Sequence, residues 1–151
     1  MPKLSDDIES LLKIMTAQGV EFAICGGHAV AYHGYPRLTM DVDILLLPTE
    51  ENAQHMMVSL DQFGFGNAGI PVEAFTLEGA AITLGEQPNQ VDLLTSMSSQ
   101  PTYEIMQHAV WGELAGIKVR FVCRADLMEA KRQAARPKDL ADLDELKKMA
   151  S

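Results

Sequence analysis

The chain has no long apolar run, since none of its hydrophobic stretches approaches the roughly 18 residues that a membrane-spanning helix needs. Its first ten residues, MPKLSDDIES, also lack the apolar segment of a secretory signal peptide. We therefore expect a cytoplasmic protein that has no membrane partner.

Cysteine is scarce. The only two, Cys25 and Cys123, lie far apart, and neither belongs to a CxxC pair. Each sits in an apolar, strand-like run, which favours buried free thiols over a disulfide or a zinc site. We assign no chemistry to either cysteine from the sequence.

Lys and Arg are absent from residues 38–117, although eleven Asp and Glu fall in that interval. The net charge of −9 argues against tight non-specific binding of nucleic acids, which depends on many Lys and Arg contacts to phosphates. Nine of the twelve basic residues follow residue 117. An anionic ligand held near the central acids would therefore need a metal, Arg37 or the C-terminal segment for neutralisation.

With 151 residues and 47% apolar content, the chain is predicted to form one domain over residues 1–151. Apolar periodicity predicts helices that begin after Ser5, Thr49 and Asp126, a short helix over residues 103–107, and a last helix with Leu140, Leu143, Leu146 and Met149 on its apolar stripe. Two hairpins are predicted, over residues 80–95 and 109–122.

Residues 64–69 spell GFGNAG, which formally fits the glycine fingerprint of dinucleotide-binding folds. That fingerprint requires a strand before it and a helix directly after it. Here an amphipathic helix precedes the glycines and Ile70-Pro71 follows them, so we interpret the segment as a glycine loop.

Residues 25–47 hold the most distinctive pattern in the chain. Gly26 and Gly27 follow an apolar strand and precede a short helix that Gly34 can end. After a turn, Asp41 and Asp43 alternate along the next strand, so their side chains should share one face. Backbone N–H groups at a helix start can bind phosphate.

A third carboxylate, Asp92, lies in a later predicted strand between apolar neighbours, where it should be at a strand edge, hydrogen-bonded or on a metal. Hard cations such as Mg²⁺ prefer oxygen ligands, and a pair of them can clamp a phosphoryl group during displacement. Lys131 falls inside the apolar stripe of its helix. It either extends past the edge of the core or contacts an anion.

The other polar residues near the pattern allow two interpretations. His28 and His33 are five residues apart, which does not suit a metal pair on one helix face; His28 can instead face a nucleotide. Arg37 and Thr39 either order the turn before Asp41 or contact the nucleotide directly.

The ordered set from Gly26-Gly27-His28-Ala29 through His33-Gly34, Arg37, Thr39, Asp41 and Asp43 resembles the nucleotidyltransferase fold of the DNA polymerase beta superfamily. More narrowly, it is similar to small bacterial members grouped with AbiEii-type toxins and minimal nucleotidyltransferases. The segment from Lys131 through Leu143 also resembles that group. The resemblance implies an α+β fold with a mixed β-sheet flanked by helices and with the C-terminal helices packed on the sheet.

The resemblance further implies two Mg²⁺ ions bound by Asp41, Asp43 and Asp92, with Asp92 as the base. A nucleoside triphosphate (NTP) would be held by Gly26 and Gly27, with Arg37 and Lys131 supplying charge. Many relatives have serine where this chain has Gly27.

Three functions remain open at this point. The first is transfer of a nucleoside monophosphate from an NTP to a hydroxyl of a tRNA, a protein or a small molecule. The second is a weakly active or inactive binding protein of a toxin–antitoxin pair, with a cognate toxin or antitoxin as partner. The third is a metal-dependent phosphohydrolase.

Overall fold

The architecture is an α+β arrangement in which helices flank a six-stranded mixed sheet. We describe it from a computed structural model, which covers residues 5–36, 39, 41–66, 68–87 and 89–149. In chain order the elements are α1 (Asp6–Ala17), β1 (Phe22–Cys25), α2 (Gly26–Tyr32), β2 (Val42–Leu46), α3 (Glu50–Phe63), a 3-10 helix (Val72–Phe75), β3 (Ala81–Leu84), β4 (Val91–Leu94), α4 (Thr102–His108), β5 (Val110–Leu114), β6 (Ile117–Phe121), α5 (Arg124–Ala134) and α6 (Pro137–Lys148).

The strand order across the sheet is β3-β4-β2-β1-β6-β5. Strands β2 and β4 run parallel, as do β1 and β6, whereas the remaining neighbours are antiparallel. Both predicted hairpins are confirmed as β3–β4 and β5–β6. The sheet places β2, the strand of Asp43, between β1 and β4 in its interior.

Helix capping follows the sequence closely in the first half of the chain. Ser5 caps α1 by accepting a hydrogen bond from the backbone N–H of Ile8 at 3.3 Å. Thr49 caps α3 in the same way, and Gly64 ends that helix in the left-handed conformation with φ of 107°. These predicted helix boundaries are confirmed.

The hydrophobic core lies around the two central strands, since every residue of β1 and all but Asp43 of β2 are buried. Helices α1 and α3 pack against each other, as do α5 and α6, and α5 also contacts α2. Leu127 of α5 and Leu146 of α6 belong to the same core cluster as the central strands. The C-terminal helices therefore share the core of the sheet.

None of the helices in the part of the chain that the structure describes is long and apolar enough to cross a membrane. The longest of them, α3, has 14 residues.

The predicted start of α5 was wrong. Asp126 is not the cap: the helix begins at Arg124, and Cys123 precedes it. The Cys123 sulfur accepts a hydrogen bond from the backbone N–H of Asp126 at 3.4 Å. Asp126 lies instead in the first turn, where the positive end of the helix dipole favours a carboxylate.

The predicted apolar stripe of α6 was only partly right. Leu143 and Leu146 are buried, but Leu140 is 45% exposed. The buried face carries Asp139 and Asp142 in addition to the leucines. Apolar periodicity alone did not indicate that these acids would be buried, because it could not foresee a buried cation facing them.

The glycine segment after α3 lacks the context of a dinucleotide-binding turn. A helix precedes it, and a 3-10 helix follows a few residues later. Asn67 lies outside the described residues. The interpretation as a loop therefore agrees with the surrounding elements.

Candidate active site

Asp43 and Asp92 lie directly opposite each other on the parallel strands β2 and β4. On the other side of β2, Asp43 pairs with Cys25, the last residue of β1 and the residue before α2. Two carboxylates that are 49 positions apart in the sequence are thus brought side by side beside the start of a helix. The register of β2 against β4 therefore brings Asp43 and Asp92 together, as we expected from the sequence.

The pKa of Asp43 is raised from 3.8 to about 6. Burial is the largest cause, followed by a hydrogen bond and charge repulsion from Asp92 and by the charge of Asp41, while Lys131 acts in the opposite direction. The two facing carboxylates therefore carry an unfavourable concentration of negative charge, which a bound cation would relieve.

Asp92 is half-buried and accepts hydrogen bonds as the sequence led us to expect. Thr83 on β3 donates its hydroxyl to Asp92 Oδ1 at 2.7 Å. The amide nitrogen of Gln90 lies 3.3 Å from both Asp92 oxygens. These donors fix the orientation of the carboxylate.

Asp41 lies one residue before β2 rather than within it. Its carboxylate accepts hydrogen bonds from the side-chain amides of Gln87, at 3.2 Å, and Gln90, at 3.3 Å. The Gln90 amide thereby bridges Asp41 and Asp92. This bridge links the residue before β2 to the carboxylate on β4.

Gly26 has a positive φ of 64°, and a Cβ atom added there would overlap Asp43 Oδ2. Only glycine combines this backbone conformation with so close an approach of the carboxylate. The Cys25 side chain makes no capping hydrogen bond to α2. Gly26 therefore permits Asp43 to contact the first turn of that helix.

A cleft of about 420 Å³ opens beside these residues. Cys25, Gly26, Asp41 and Asp43 line one wall. The opposite wall comes from α5 and the start of α6 and carries three cations, Lys131, Arg136 and Lys138. Negative charge on the sheet thus faces positive charge on the C-terminal helices, as the uneven distribution of basic residues had suggested.

A second cleft of about 420 Å³ lies between α1, the end of α3 and the β3–β4 turn. Its wall is largely apolar, with side chains such as Leu11, Phe63 and Phe65. Gln87, which donates to Asp41, also lines it. The second cleft has no cluster of charges comparable to the first.

Lys131 is buried, with 8% of its surface exposed. Its ammonium lies 3.4 Å from Asp139 Oδ1 and 3.0 Å from Asp142 Oδ2. Arg136 adds a hydrogen bond to Asp139 Oδ2 at 2.5 Å. Burial opposes ionisation of Asp139, yet the hydrogen bond from Arg136 and the charge of Lys131 outweigh it and lower the pKa of Asp139. Lys131 therefore joins α5 to α6 at the edge of the cleft.

The remaining predicted site residues take different positions. Thr39 donates its hydroxyl to the backbone carbonyl of Asp41 at 3.3 Å, which orders the turn as one of the two interpretations proposed. Gly27 and His28 are buried within α2 and are not among the lining residues of the cleft. Arg37 lies outside the described residues.

The residues present fit a hard divalent cation in their donor chemistry, since Asp41, Asp43 and Asp92 offer only carboxylate oxygens. Burial and, after it, the neighbouring Asp92 and Asp41 raise the pKa of Asp43, and a cation bound beside these carboxylates would offset both effects. Their ligand atoms do not all lie within 4.8 Å of one another. The three carboxylates would therefore have to move closer together to share one ion.

Sequence reasoning missed several residues that shape the site. Asp139 and Asp142 pair with Lys131, and Gln90 bridges two of the acids. The apolar spacing of α6 by itself did not predict that the two aspartates on either side of Leu140 would be buried. A lysine within an apolar stripe was the available sign that acids would be buried opposite it.

Comparison of the chain with models of known protein families and with curated protein sequences found no match.

Proposed function

We propose that the protein is a metal-dependent nucleotidyltransferase that moves a nucleoside monophosphate from an NTP to an acceptor hydroxyl and releases pyrophosphate. The observation that carries this proposal is the pair Asp43 and Asp92, which lie opposite each other on β2 and β4. Asp43 also lines the cleft whose helical wall carries Lys131, Arg136 and Lys138. The arrangement agrees with the resemblance to the DNA polymerase beta superfamily.

Asp41, Asp43 and Asp92 would hold the metal. Bound there, two Mg²⁺ ions would supply Lewis-acid stabilisation of charge on the reacting phosphoryl group. The acceptor oxygen forms a bond to the α-phosphorus, the bond from that phosphorus to the bridging oxygen of the β-phosphate breaks, and pyrophosphate leaves. Asp92, held by Thr83 and Gln90, takes the proton of the acceptor hydroxyl.

The cleft offers charge for the triphosphate on its helical wall. Arg136 has a largely exposed side chain and Lys138 is exposed, so both can reach a ligand from the start of α6. Lys131 is already paired with two aspartates, so its role is to hold α5 and α6 together beside the phosphates. In this proposal the phosphates are contacted by Arg136 and Lys138 and not, as we expected from the sequence, by Lys131.

Thermal unfolding with each NTP and Mg²⁺ tests the metal–nucleotide site. We expect at least one NTP to stabilise the wild-type protein in the presence of Mg²⁺ and to leave Asp43→Ala unaffected. Asp144→Ala, which removes an exposed carboxylate from α6, is the matched control and should respond like the wild type. An equal response of wild type and Asp43→Ala would refute the site.

Pyrophosphate release then separates the two enzymatic candidates. A transferase should release pyrophosphate only when an acceptor is added, whether a tRNA, a protein or a small hydroxyl compound. A phosphohydrolase using the same carboxylates should turn over without an acceptor.

A weakly active or inactive binding protein of a toxin–antitoxin pair is the second candidate. It is favoured by the hydrogen bonds that already occupy Asp41 and by the complete pairing of Lys131 within the protein. This candidate predicts stabilisation by Mg²⁺ and an NTP without pyrophosphate release for any of the three acceptor classes.

A further inference from the structure

His108, Cys123 and Asp126 form a cluster outside the cleft that the proposed reaction does not use. His108 is the last residue of α4, Cys123 precedes α5, and Asp126 lies in the first turn of α5. One ligand atom from each side chain lies within 4.8 Å of the other two. Among the described residues, this is the one group of three potential metal-ligating side chains that meets that limit.

The donor set of this cluster differs in kind from that of the aspartates. It combines an imidazole nitrogen, a thiol sulfur and a carboxylate oxygen, which suit a borderline cation such as Zn²⁺ better than Mg²⁺. Tetrahedral Zn²⁺ with ligand bonds of about 2.0–2.3 Å requires donor atoms roughly 3.3–3.8 Å apart. His108 Nδ1 now lies 2.9 Å from Asp126 Oδ2, so binding needs adjustments of about an ångström or less.

The surroundings of the cluster allow an ion to enter from solvent. The His108 side chain is 52% exposed, whereas that of Asp126 is 9% exposed, so the cluster is open to solvent on one side. Burial raises the pKa of Cys123 and the Asp126 carboxylate raises it further, whereas hydrogen bonds from the backbone at the start of α5 act in the opposite direction. A metal ion that replaces the thiol proton would remove this penalty.

We propose that His108, Cys123 and Asp126 bind one Zn²⁺-class divalent ion, with water in the fourth position. Binding releases the proton of the Cys123 thiol to solvent and opens the contact between His108 and Asp126. The ion connects the end of α4 to the beginning of α5, the helix that carries Lys131 to the cleft.

The competing explanation is purely structural. In that case Cys123 only caps α5, and His108 and Asp126 form an ordinary ion pair at a helix start. Such contacts need no metal, so the two explanations differ in what added metal does.

Titration of the chelator-treated protein with Co²⁺ and then Zn²⁺, both in excess Mg²⁺, provides the test. Co²⁺ reports a thiolate ligand through a sulfur-to-metal charge-transfer band, and Mg²⁺ keeps the carboxylate site occupied. We expect one Co²⁺ per chain, a charge-transfer band, displacement by Zn²⁺ and release of about one thiol proton per ion. Absence of the band from the wild-type protein would overturn the proposal.

Variants assign the ligands. His108→Ala alters an exposed side chain and should weaken Zn²⁺ binding at least tenfold, whereas His55→Ala on α3 should bind like the wild type. Cys123→Ser keeps a hydroxyl that can cap α5, so the variant should fold but lose the band. Circular dichroism checks folding. Equal affinity of His108→Ala and His55→Ala, or a band that persists in Cys123→Ser and therefore comes from Cys25, would contradict the site.

Asp43→Asn separates this inference from the proposed function. The variant should lose its response to Mg²⁺ and NTP but keep the wild-type affinity for Zn²⁺. If its Zn²⁺ affinity falls as far as that of His108→Ala, the ion binds at the aspartates and the proposed site is wrong.

Discussion

At the scale of single residues, the charged form of Asp43 that the proposed metal site requires is the form that destabilises the folded protein. Its carboxyl is favoured in the protonated form because burial and the neighbouring Asp92 raise its pKa to about 6, compared with 3.8 for the free group. The folded protein therefore binds a proton more tightly than the unfolded chain does. The stabilisation is fully present below pH 3.8 and is lost as the pH rises through about 6.

Asp43→Asn should consequently stabilise the metal-free protein by roughly 1–3 kcal/mol at pH 8, because an amide has no charge to bury. The gain over wild type should shrink toward pH 4. Urea denaturation in the presence of a chelator at pH 4, 6 and 8 measures this difference. Asp144→Asn, at an exposed position, should show no comparable change with pH.

Lys131 illustrates the opposite case, in which a charge stabilises the fold because its partners are buried with it. Lys131→Met should lower the free energy of unfolding by about 3–5 kcal/mol, since it leaves Asp139 and Asp142 facing each other without their shared cation. Chemical denaturation measures the loss. Lys138→Met, an exposed neighbour on the same cleft, should change stability by less than about 0.5 kcal/mol. A similar effect of the two substitutions would show that the Lys131 network contributes little.

At the scale of elements, the passage from β1 to α2 determines where the carboxylate of β2 can lie. The chain enters α2 through Gly26 in a left-handed conformation, and the absence of a Cβ lets Asp43 reach the first turn. Parallel pairing of β2 with β4 then brings Asp92 alongside. The site is thus a property of three adjacent elements rather than of one motif.

Gly26→Ala tests this geometry. The left-handed conformation alone should cost about 1–2 kcal/mol, and the overlap with Asp43 should add about 1–3 kcal/mol. Gly79→Ala is the matched control, because Gly79 also has a positive φ, 89°, but no atom lies within 4 Å of an added Cβ. We expect Gly26→Ala to be the more destabilised in urea and to lose the response to Mg²⁺ and NTP. Equal losses of stability in the two variants would mean that Asp43 moves aside freely.

At the scale of the whole molecule, the cleft lies between two walls of opposite charge. One wall carries Asp41 and Asp43 at the start of β2, and the other carries the cations of α5 and of the start of α6. Helices α5 and α6 pack on each other and reach the remaining elements mainly through α2 and the core leucines. A ligand that bridges both walls should therefore reduce the opening motions of the helical pair.

Hydrogen exchange measures this effect directly. With saturating Mg²⁺ and an NTP, amides of α5 and α6 should exchange roughly tenfold or more slowly, because binding stabilises the closed arrangement. Amides of α3, on the far side of the second cleft, should be unchanged. Protection of α1, the end of α3 and the β3–β4 turn, without protection of α5 and α6, would instead place the nucleotide in the second cleft.

Much of the fold was predictable from local patterns in the sequence. Ser5, Thr49 and Gly64 define helix ends through their own backbone and side-chain chemistry, and both hairpins follow from alternating residues around a turn. Cys123 was not foreseen as the residue before α5, because a thiol is not among the usual helix caps and Asp126 offered a more familiar pattern.

The sequence by itself determined which residues could carry chemistry: a glycine pair, three aspartates in predicted apolar strands, and a concentration of nine of the twelve Lys and Arg residues after residue 117. Only the tertiary structure decided which of them meet. Strand register placed Asp43 against Asp92, and the packing of α5 on α6 turned Lys131 inward onto Asp139 and Asp142. Distances between residues remote in the sequence depend on the packing of whole elements, which no local pattern encodes.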